Sequence, residues 1–358
     1  RDLHSFPTRR SSDLHQPDDG MILDALAGNL CRCTGYQSIL EAAREATTLP
    51  DHDQFTHQAE EIIGMLNGIN ADRNPLILEG GGQRYFRPFT REQALTLRRD
   101  HPEAVIINGS TDIALRQTKK GELIPSILDL SGVDDLCFLK ERGSQIIIGS
   151  GLRLENLKQW SKDHYPPMYD ILKVFGSLQI RNMATLGGNI GSASPIGDLL
   201  PLLMVKGAKI VLQSTEGERI QELHEFITGY RKTGIRPGEI IAEVIIDKPL
   251  DSEVVRCYKV SKRTDLDIAT VSASFSLVLR AGVTETIRMA YGGMAAQTMR
   301  VSVAEGFLSG KPWSREVVEQ AVKLVEDAFI PITDARAGAA YRRKVAGKLL
   351  LKFYSETC

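Results

Sequence analysis

The sequence has little that would tie the protein to a membrane or to nucleic acid. No apolar run approaches the roughly 20 residues that a membrane-spanning helix needs, and the first residues lack the apolar core of a signal peptide. The 44 basic and 45 acidic residues leave a net charge of -1, so no general attraction to nucleic acid or anionic lipid is expected. We therefore expect a cytoplasmic protein that binds neither.

Clustered metal ligands and nucleophiles are also scarce. The five cysteines, at positions 31, 33, 137, 257 and 358, are odd in number and scattered, unlike the paired framework of a secreted disulfide protein. The seven histidines form no spaced ligand set, and no Ser-His-Asp or Cys-His order stands out, which argues against hydrolytic catalysis. Only Cys31 and Cys33 are close enough to act together.

Length and composition indicate several domains. A chain of 358 residues with 42% hydrophobic content can bury a sizeable core and should form two or three domains. Residues 1–14 have neither helical nor strand periodicity, and we interpret them as non-native, with a native disordered arm as the alternative. The polar residues 51–74 predict a linker with one short helix from about Ala59 to Leu66.

The two neighbouring cysteines lie between two predicted helices. The first helix has acidic residues in its first turn and ends at Gly28, and the second contains the apolar positions Ile39 and Leu40. Two thiolates one residue apart in such a connection can reach a single iron, which suits an iron–sulfur cluster. On spacing alone, two buried thiols are the alternative.

Two loops rich in small residues follow, in a block of alternating strands and helices from about Tyr85 to Asp247. The β-branched strand 104–107 runs into NGSTD (108–112), whose successive amides can bind phosphate oxygens, although such turns also occur without a ligand. The second loop, 179–198, reads as too polar and too small for a core element, and its final Asp198 can accept hydrogen bonds from sugar hydroxyls. Two such loops can hold a pyrophosphate, although neither is a GxGxxG or Walker sequence.

The last third of the chain predicts a mixed domain. Strands are predicted at 254–260, 270–279 and 284–291, followed by helices at 313–329 and 335–354 whose apolar residues recur at helical spacing. These apolar stripes read as core rather than as a partner surface.

Four motifs together resemble one family, the flavin-carrying subunits of molybdenum hydroxylases such as xanthine dehydrogenase. They are GNLCRCTGYQSILEA (28–42), NGSTD, IRNMATLGGNIGSASPIGDLLP (180–201) and KVSKRTDLDIATVSASF (259–275), in the order that the family uses. The resemblance implies an α+β multidomain fold: a short helical remnant of a [2Fe-2S] domain (15–50), a two-part α/β FAD-binding domain (75–248) and an α+β C-terminal domain (249–358).

The resemblance also implies the site residues. Lys259 would stabilise negative charge on the reduced flavin, with a solvated surface lysine as the alternative. Arg263 and Asp267 match positions near the cofactor and the nicotinamide approach, while Thr264 and Leu266 stand where some relatives carry charge. The predicted FAD contacts are Ile106, Ile107, Asn108, Gly109, Ser110, Thr111, Asp112, Ile113, Phe175, Thr185, Gly188, Asn189, Asp198, Lys259 and Asp267.

By the same resemblance, Cys31 and Cys33 are two of four [2Fe-2S] ligands, because the family supplies the other two from an upstream Cys-x-x-Cys. We therefore expect an N-terminally truncated fragment that carries a cluster only in the intact parent. The implied function is electron transfer from iron–sulfur clusters through FAD to NAD+, in purine catabolism, within a hetero-oligomer with a molybdopterin-binding large subunit. The alternatives are a carbon monoxide, nicotine or hydroxybenzoyl-CoA type of flavin subunit, or a cofactor-free assembly domain.

Overall fold

The computed structural model describes residues 17–28, 36–48, 54–69, 72–263 and 266–358. Within these ranges no helix is both long enough and apolar enough to cross a membrane. The described residues form a group of N-terminal helices, then two larger sheets and one two-stranded sheet with helices around them, then a fourth sheet covered by helices.

Short helices occupy the N-terminal part, and their bounds are α1 (Asp19–Leu26), α2 (Tyr36–Ala46), α3 (Gln54–His57) and α4 (Ala59–Ile69). Helix α1 begins where the Asp18 side chain accepts a hydrogen bond from the Met21 amide at 2.7 Å, and it ends before Gly28, whose φ is +100°. Both helices predicted around the cysteine pair are present. Helix α4 extends three residues beyond the predicted linker helix.

The first sheet combines an antiparallel hairpin with parallel strands. Its order is β1-β2-β4-β3, in which β2 and β3 both run parallel to β4. A capping box fixes the start of α5. The Thr90 hydroxyl accepts from the Gln93 amide, and the Gln93 side-chain oxygen accepts from the Thr90 amide. The elements are β1 (Leu76–Gly80), β2 (Gln83–Arg87), α5 (Arg91–Asp100), β3 (Val105–Ile107), α6 (Ala114–Lys120) and β4 (Ser126–Asp129).

The second sheet is antiparallel throughout, with the order β5-β6-β11-β7-β8. Its apolar face packs against α7, α8 and α11 in one continuous core, which contains fully buried residues such as Leu157, Leu203 and Ile210. The elements are β5 (Leu139–Arg142), β6 (Gln145–Gly149), α7 (Leu154–His164), α8 (Pro166–Lys173), α9 (Leu178–Met183), α10 (Leu186–Gly191), α11 (Leu200–Val205), β7 (Lys209–Ser214), β8 (Gly217–Glu222), α12 (Leu223–Phe226), β9 (Ile227–Gly229), β10 (Lys232–Thr233) and β11 (Ile240–Asp247).

The C-terminal part is an antiparallel sheet, order β12-β13-β14-β15, covered by helices. Its core joins Phe275 and Tyr291 of the sheet to Val318 and Phe353 of the helices, so the predicted apolar stripes are buried within the chain. The elements are β12 (Glu253–Val260), β13 (Val271–Arg280), β14 (Val283–Gly292), β15 (Met299–Arg300), α13 (Ser302–Leu308), α14 (Arg315–Asp327) and α15 (Ala339–Ser355).

Three details differ from the sequence-based expectations. The loop 179–198 contains α9 and α10, and Leu186 and Ile190 of α10 are fully buried, so part of this segment is core despite its glycines. The sequence pattern predicts a helix from Tyr169 to Phe175, whereas the structure has a helix from Pro166 to Lys173, which begins earlier because proline is favoured in the first turn of a helix. The pattern also predicts that Cys137 lies in a strand, but Cys137 follows a 3-10 turn.

Candidate functional site

A cavity of about 570 Å³ lies where the ends of the first sheet, the glycine-rich segment and the C-terminal sheet meet. The structure brings all fifteen predicted cofactor contacts to its walls. These are Ile106, Ile107, Asn108, Gly109, Ser110, Thr111, Asp112, Ile113, Phe175, Thr185, Gly188, Asn189, Asp198, Lys259 and Asp267. Residues from three distant parts of the sequence therefore share one site, and their role as cofactor contacts stays a prediction.

The first wall is the loop that follows β3. Ser110 adopts a left-handed φ of +59°, which turns the chain toward α6. Gly109 has no room for a side chain, since a Cβ atom there would stand 1.7 Å from the carbonyl oxygen of Met183. The amides of Gly109, Ser110 and Thr111 make no hydrogen bond within the described part of the chain. Such consecutive free amides form a concave anion-binding surface.

The Asp112 side chain also has a partner within the chain. Its two carboxylate oxygens accept from the Arg231 guanidinium at 2.5 and 3.1 Å, so Asp112 bridges this loop to the segment between β9 and β10. The pair is half-exposed at the edge of the cavity, which limits its contribution to stability. Asp112 therefore closes one side of the site in addition to lining it.

The second wall is the N-terminal half of α10. Thr185 caps this helix by accepting from the Gly188 amide at 3.1 Å, and the Gly187 amide donates to the carbonyl of Ser150 at 2.8 Å. A Cβ on Gly187 would stand 2.5 Å from the Ser150 side chain, so glycine is needed for this close packing. The cap and the packing together fix the backbone against which a ligand would lie.

Two buried oxygen atoms on these walls lack partners. Asn189 Oδ1 and Asp198 Oδ1 are inaccessible to solvent and have no hydrogen-bond partner in the described part of the chain. Leaving a buried polar atom unpaired typically costs about 1–3 kcal/mol. Since both residues line the cavity, a bound ligand that carries hydroxyl or N–H donors would satisfy them.

Asp198 is ion-paired to Lys259 across the two domains. Lys259 Nζ lies 2.8 Å from Asp198 Oδ2 and donates to the carbonyl oxygen of Val174 at 2.8 Å. Only 3% of the Lys259 side chain is exposed, so the interpretation as a solvated surface lysine is wrong. Burial raises the pKa of Asp198, and the Lys259 charge opposes that shift.

The loop after β12 forms the remaining wall. Asp267 accepts from the Arg263 amide at 2.9 Å and from Arg263 Nε at 3.0 Å, so the two residues stabilise one turn. Leu266 has a left-handed φ of +62° and also lines the cavity. Thr264 lies outside the described residues.

Several lining residues carried no sequence signal. Ile241 lies near the start of β11, and Ser150 follows β6; neither belongs to a loop with a distinctive composition. Ile180 lies within the 180–201 motif, but its apolar side chain gave no reason to single it out. The positions of Ile241 and Ser150 depend on strand pairing within the second sheet, which the local sequence does not specify.

The predicted metal ligands Cys31 and Cys33 lie outside the described residues. Among the residues that the structure does describe, no group of three or more His, Cys, Asp or Glu side chains could hold a metal ion. Cys257 lies in β12 as predicted, and burial raises the pKa of its thiol to about 12. Such a thiol would be a poor metal ligand near neutral pH.

The residues present fit FAD on two observations. Free consecutive amides at 109–111 suit a diphosphate, and the unpaired oxygens of Asn189 and Asp198 suit a polyhydroxyl chain.

Comparisons with protein families agree with this arrangement. Residues 80–249 match the FAD binding domain in molybdopterin dehydrogenase, and residues 256–357 match the CO dehydrogenase flavoprotein C-terminal domain. Residues 6–44 match a [2Fe-2S] binding domain, and this match includes part of the segment that we interpret as non-native.

Similar proteins include the xanthine dehydrogenase/oxidase of Gallus gallus, 26% identical over 93% of this chain, and the xanthine dehydrogenase of Oryza sativa, 27% identical over 98%. The chain spans about 30% of the length of these curated relatives. A solved chain of reconstituted CO dehydrogenase from Oligotropha carboxidovorans matches with a TM-score of 0.72 and 25% identity, over 78% of this chain and 98% of that one.

Proposed function

Because the chain belongs to the FAD-binding subunits of the molybdenum hydroxylases, we propose that its cavity holds FAD and that the subunit passes electrons from iron–sulfur clusters to an acceptor. The convergence of fifteen predicted contacts on one cavity supports this proposal most directly. When bound, FAD supplies the transfer of a hydride or of single electrons. The protein supplies position and electrostatics.

The loop after β3 would hold the diphosphate. The amides of Gly109, Ser110 and Thr111 are free to donate, and the missing side chain at Gly109 allows the phosphate-facing backbone to lie against Met183. Thr185 and Gly188, at the N-terminus of α10, would line the opposite side. Backbone donors fixed in advance bind an anion without a further cost of ordering.

The pair Asp198 and Lys259 would serve different parts of the cofactor. Asp198 Oδ1 is the free acceptor for sugar or ribityl hydroxyls, because Oδ2 is already bound to Lys259. The buried ammonium of Lys259 would lower the free energy of negative charge nearby, which favours the reduced anionic cofactor. Phe175 follows Val174, whose carbonyl oxygen accepts from Lys259. Phe175 itself would lie near the adenine of the cofactor.

The complete electron path and its partners extend beyond this chain, which we propose to act in a hetero-oligomer with a molybdopterin-binding large subunit in the cytoplasm. NAD+ is the proposed acceptor, in a xanthine dehydrogenase-like reaction of purine catabolism. A CO-type subunit is the second candidate, since the C-terminal match and the Oligotropha chain both favour it. The rate at which NADH reduces the bound flavin, which is the reverse of electron transfer to NAD+, would separate the two candidates. The flavin of a CO-type subunit should not be reduced by NADH.

Binding of FAD by the purified chain tests the proposal. The apoprotein should take up one FAD per chain in equilibrium dialysis and should bind FMN, which lacks the adenylate half, more weakly. Gly109→Val should abolish uptake, since its side chain would collide with Met183. A chain that binds no FAD would favour the cofactor-free assembly domain instead, and equal binding after this substitution would show that the loop after β3 is not part of the FAD site.

A further inference from the structure

Four charged side chains form a cluster behind the cavity wall, at the interface of α1, α7 and α9. Arg181 Nε donates to Glu155 Oε2 at 2.6 Å, and Arg181 Nη2 donates to Asp24 Oδ1 at 3.3 Å. Lys158 Nζ lies 2.8 Å from Asp24 Oδ2 and 3.5 Å from Glu155 Oε1. Asp24 comes from the [2Fe-2S] segment, while its three partners belong to the flavin domain.

The cluster is electrically balanced only when α1 is in place. Arg181 and Lys158 are 1% and 4% exposed, and Glu155 supplies a single negative charge. Without Asp24, two buried cations would face one carboxylate. An unbalanced buried charge is strongly unfavourable, so the three flavin-domain residues would rearrange toward water.

Arg181 also holds the rim of the cavity. Its Nη1 donates to the carbonyl oxygens of Phe175 at 3.1 Å and Gly176 at 3.2 Å, and both residues line the cavity. Gly176 has a left-handed φ of +52°, so this turn is a specific conformation and not an extended strand. Any movement of Arg181 toward water would release two carbonyls that now fix the rim.

Close packing at the end of α1 strengthens this connection. Gly28 has a φ of +100°, and a Cβ there would stand 2.6 Å from the Ser177 side chain and from Gln179 Oε1. Ser177 caps α9, the helix that carries Arg181. Gly28, the first residue of the cysteine-containing motif 28–42, therefore packs against the first turn of the helix behind the cavity.

We propose that docking of α1 and binding of FAD are thermodynamically coupled, with Asp24 as the positioning residue that transmits the docked state through Arg181 to the Phe175–Gly176 turn. The coupling rests on the proposed function, because it requires FAD as the ligand. By linkage it is reciprocal: a docked α1 tightens FAD binding, and bound FAD stabilises the docked α1 by the same factor.

The substitution Asp24→Asn in the full chain tests the coupling, with Asp19→Asn as the matched control. Asp19 lies in the same helix and pairs with Arg44 at 2.6 Å on the surface, away from the cavity. We expect Asp24→Asn to raise the Kd for FAD by about 5- to 50-fold and Asp19→Asn to leave it unchanged. Gly28→Ala, which forces α1 away by contact instead of charge, should raise it as well.

Hydrogen exchange of the α1 amides gives the reciprocal readout. Saturating FAD should slow exchange across α1 in the wild type and in Asp19→Asn, and should have no effect in Asp24→Asn. Equal FAD affinity in the two aspartate variants, or α1 exchange that ignores FAD in the wild type, would overturn the coupling. A wild-type chain that takes up no FAD would contradict the proposed function itself, and the dialysis result distinguishes these outcomes.

Discussion

Lys259 Nζ contacts Asp198 Oδ2 at 2.8 Å, and this pair joins β12 of the C-terminal domain to the glycine-rich segment of the flavin domain. Both side chains are buried, so each compensates the other's lost hydration. The pair leaves Asp198 Oδ1 free on the cavity wall. A substitution at either position therefore changes both the cofactor site and the contact between domains.

Asp198→Asn should weaken FAD retention without unfolding the chain. The amide keeps the size of the side chain but loses the charged acceptor, which is expected to raise the Kd for FAD by roughly 10- to 100-fold. Asp198→Ala should have a larger effect, because it also removes the amide oxygen that could still accept a hydrogen bond from Lys259 or from a ligand hydroxyl. Equilibrium dialysis measures the Kd for FAD of each variant. The control is Asp251→Asn, at an exposed turn residue. Full FAD content in Asp198→Ala after dialysis would show that the segment is wrongly assigned.

Lys259→Met should leave FAD bound and shift the flavin midpoint potential downward. Removing the buried positive charge destabilises the reduced anionic cofactor, by an amount on the order of tens of millivolts. Lys259→Arg retains the charge and should retain most of the potential. Spectroelectrochemical titration gives the value, and a potential equal to that of the wild type in the Met variant would remove Lys259 from the flavin environment.

The chain expressed alone should show flavin absorbance and no stoichiometric [2Fe-2S] signal. A cluster needs four protein ligands, and Cys31 and Cys33 are the only cysteines in the matching motif. Electron paramagnetic resonance after reduction with dithionite, on protein reconstituted with iron and sulfide, measures the cluster. Adding an upstream segment with a Cys-x-x-Cys pair should restore it. A full signal from this chain alone would mean that at least two ligands have been misplaced.

Asp334 should make the C-terminal domain sensitive to acid. Burial opposes ionisation of Asp334, but hydrogen bonds from the Arg336 and Ala337 amides and from the Arg342 and Arg336 side chains outweigh it and hold its pKa well below the usual range. A lowered folded-state pKa stabilises the fold above the ordinary value of about 4, and this stabilisation is lost as the pH falls through and below it.

Asp334→Asn should therefore cost about 2 kcal/mol near neutral pH, and the difference from the wild type should shrink below about pH 4. Urea unfolding followed by Trp313 fluorescence reports on this domain once Trp160→Phe removes the other tryptophan. The exposed Asp327→Asn is the control. A difference that stays constant between neutral and acidic pH would show that the Asp334 charge contributes nothing to stability.

The loops of the site could be predicted from the sequence, but the side-chain pairs between them could not. Family motifs placed NGSTD, the segment ending at Asp198 and Lys259 together, and the structure brings all three to one cavity. The pairing of Lys259 with Asp198 was not foreseen, because side-chain contacts between distant segments depend on packing that no local pattern encodes. The same holds for Arg181 and Asp24, which are 157 residues apart in the chain.

Predictions from neighbouring residues were correct for features that depend only on neighbouring residues. The first N-terminal helix and the strand carrying Lys259 were predicted from neighbouring residues and are present. The prediction failed at Leu186 and Ile190, where glycine-rich composition indicated a loop but a short helix buries two apolar side chains. The composition of this segment shows that it is rich in small and polar residues, but it does not show which of its residues face the core.

The close approach at Gly109 restricts which residues this position can accept. Its backbone lies so near the end of α9 that a Cβ would stand 1.7 Å from the Met183 carbonyl oxygen. Even alanine would therefore push the loop after β3 away from α9 and change the shape of the cavity. We expect saturation mutagenesis to leave glycine alone at this position among variants that keep the cavity intact.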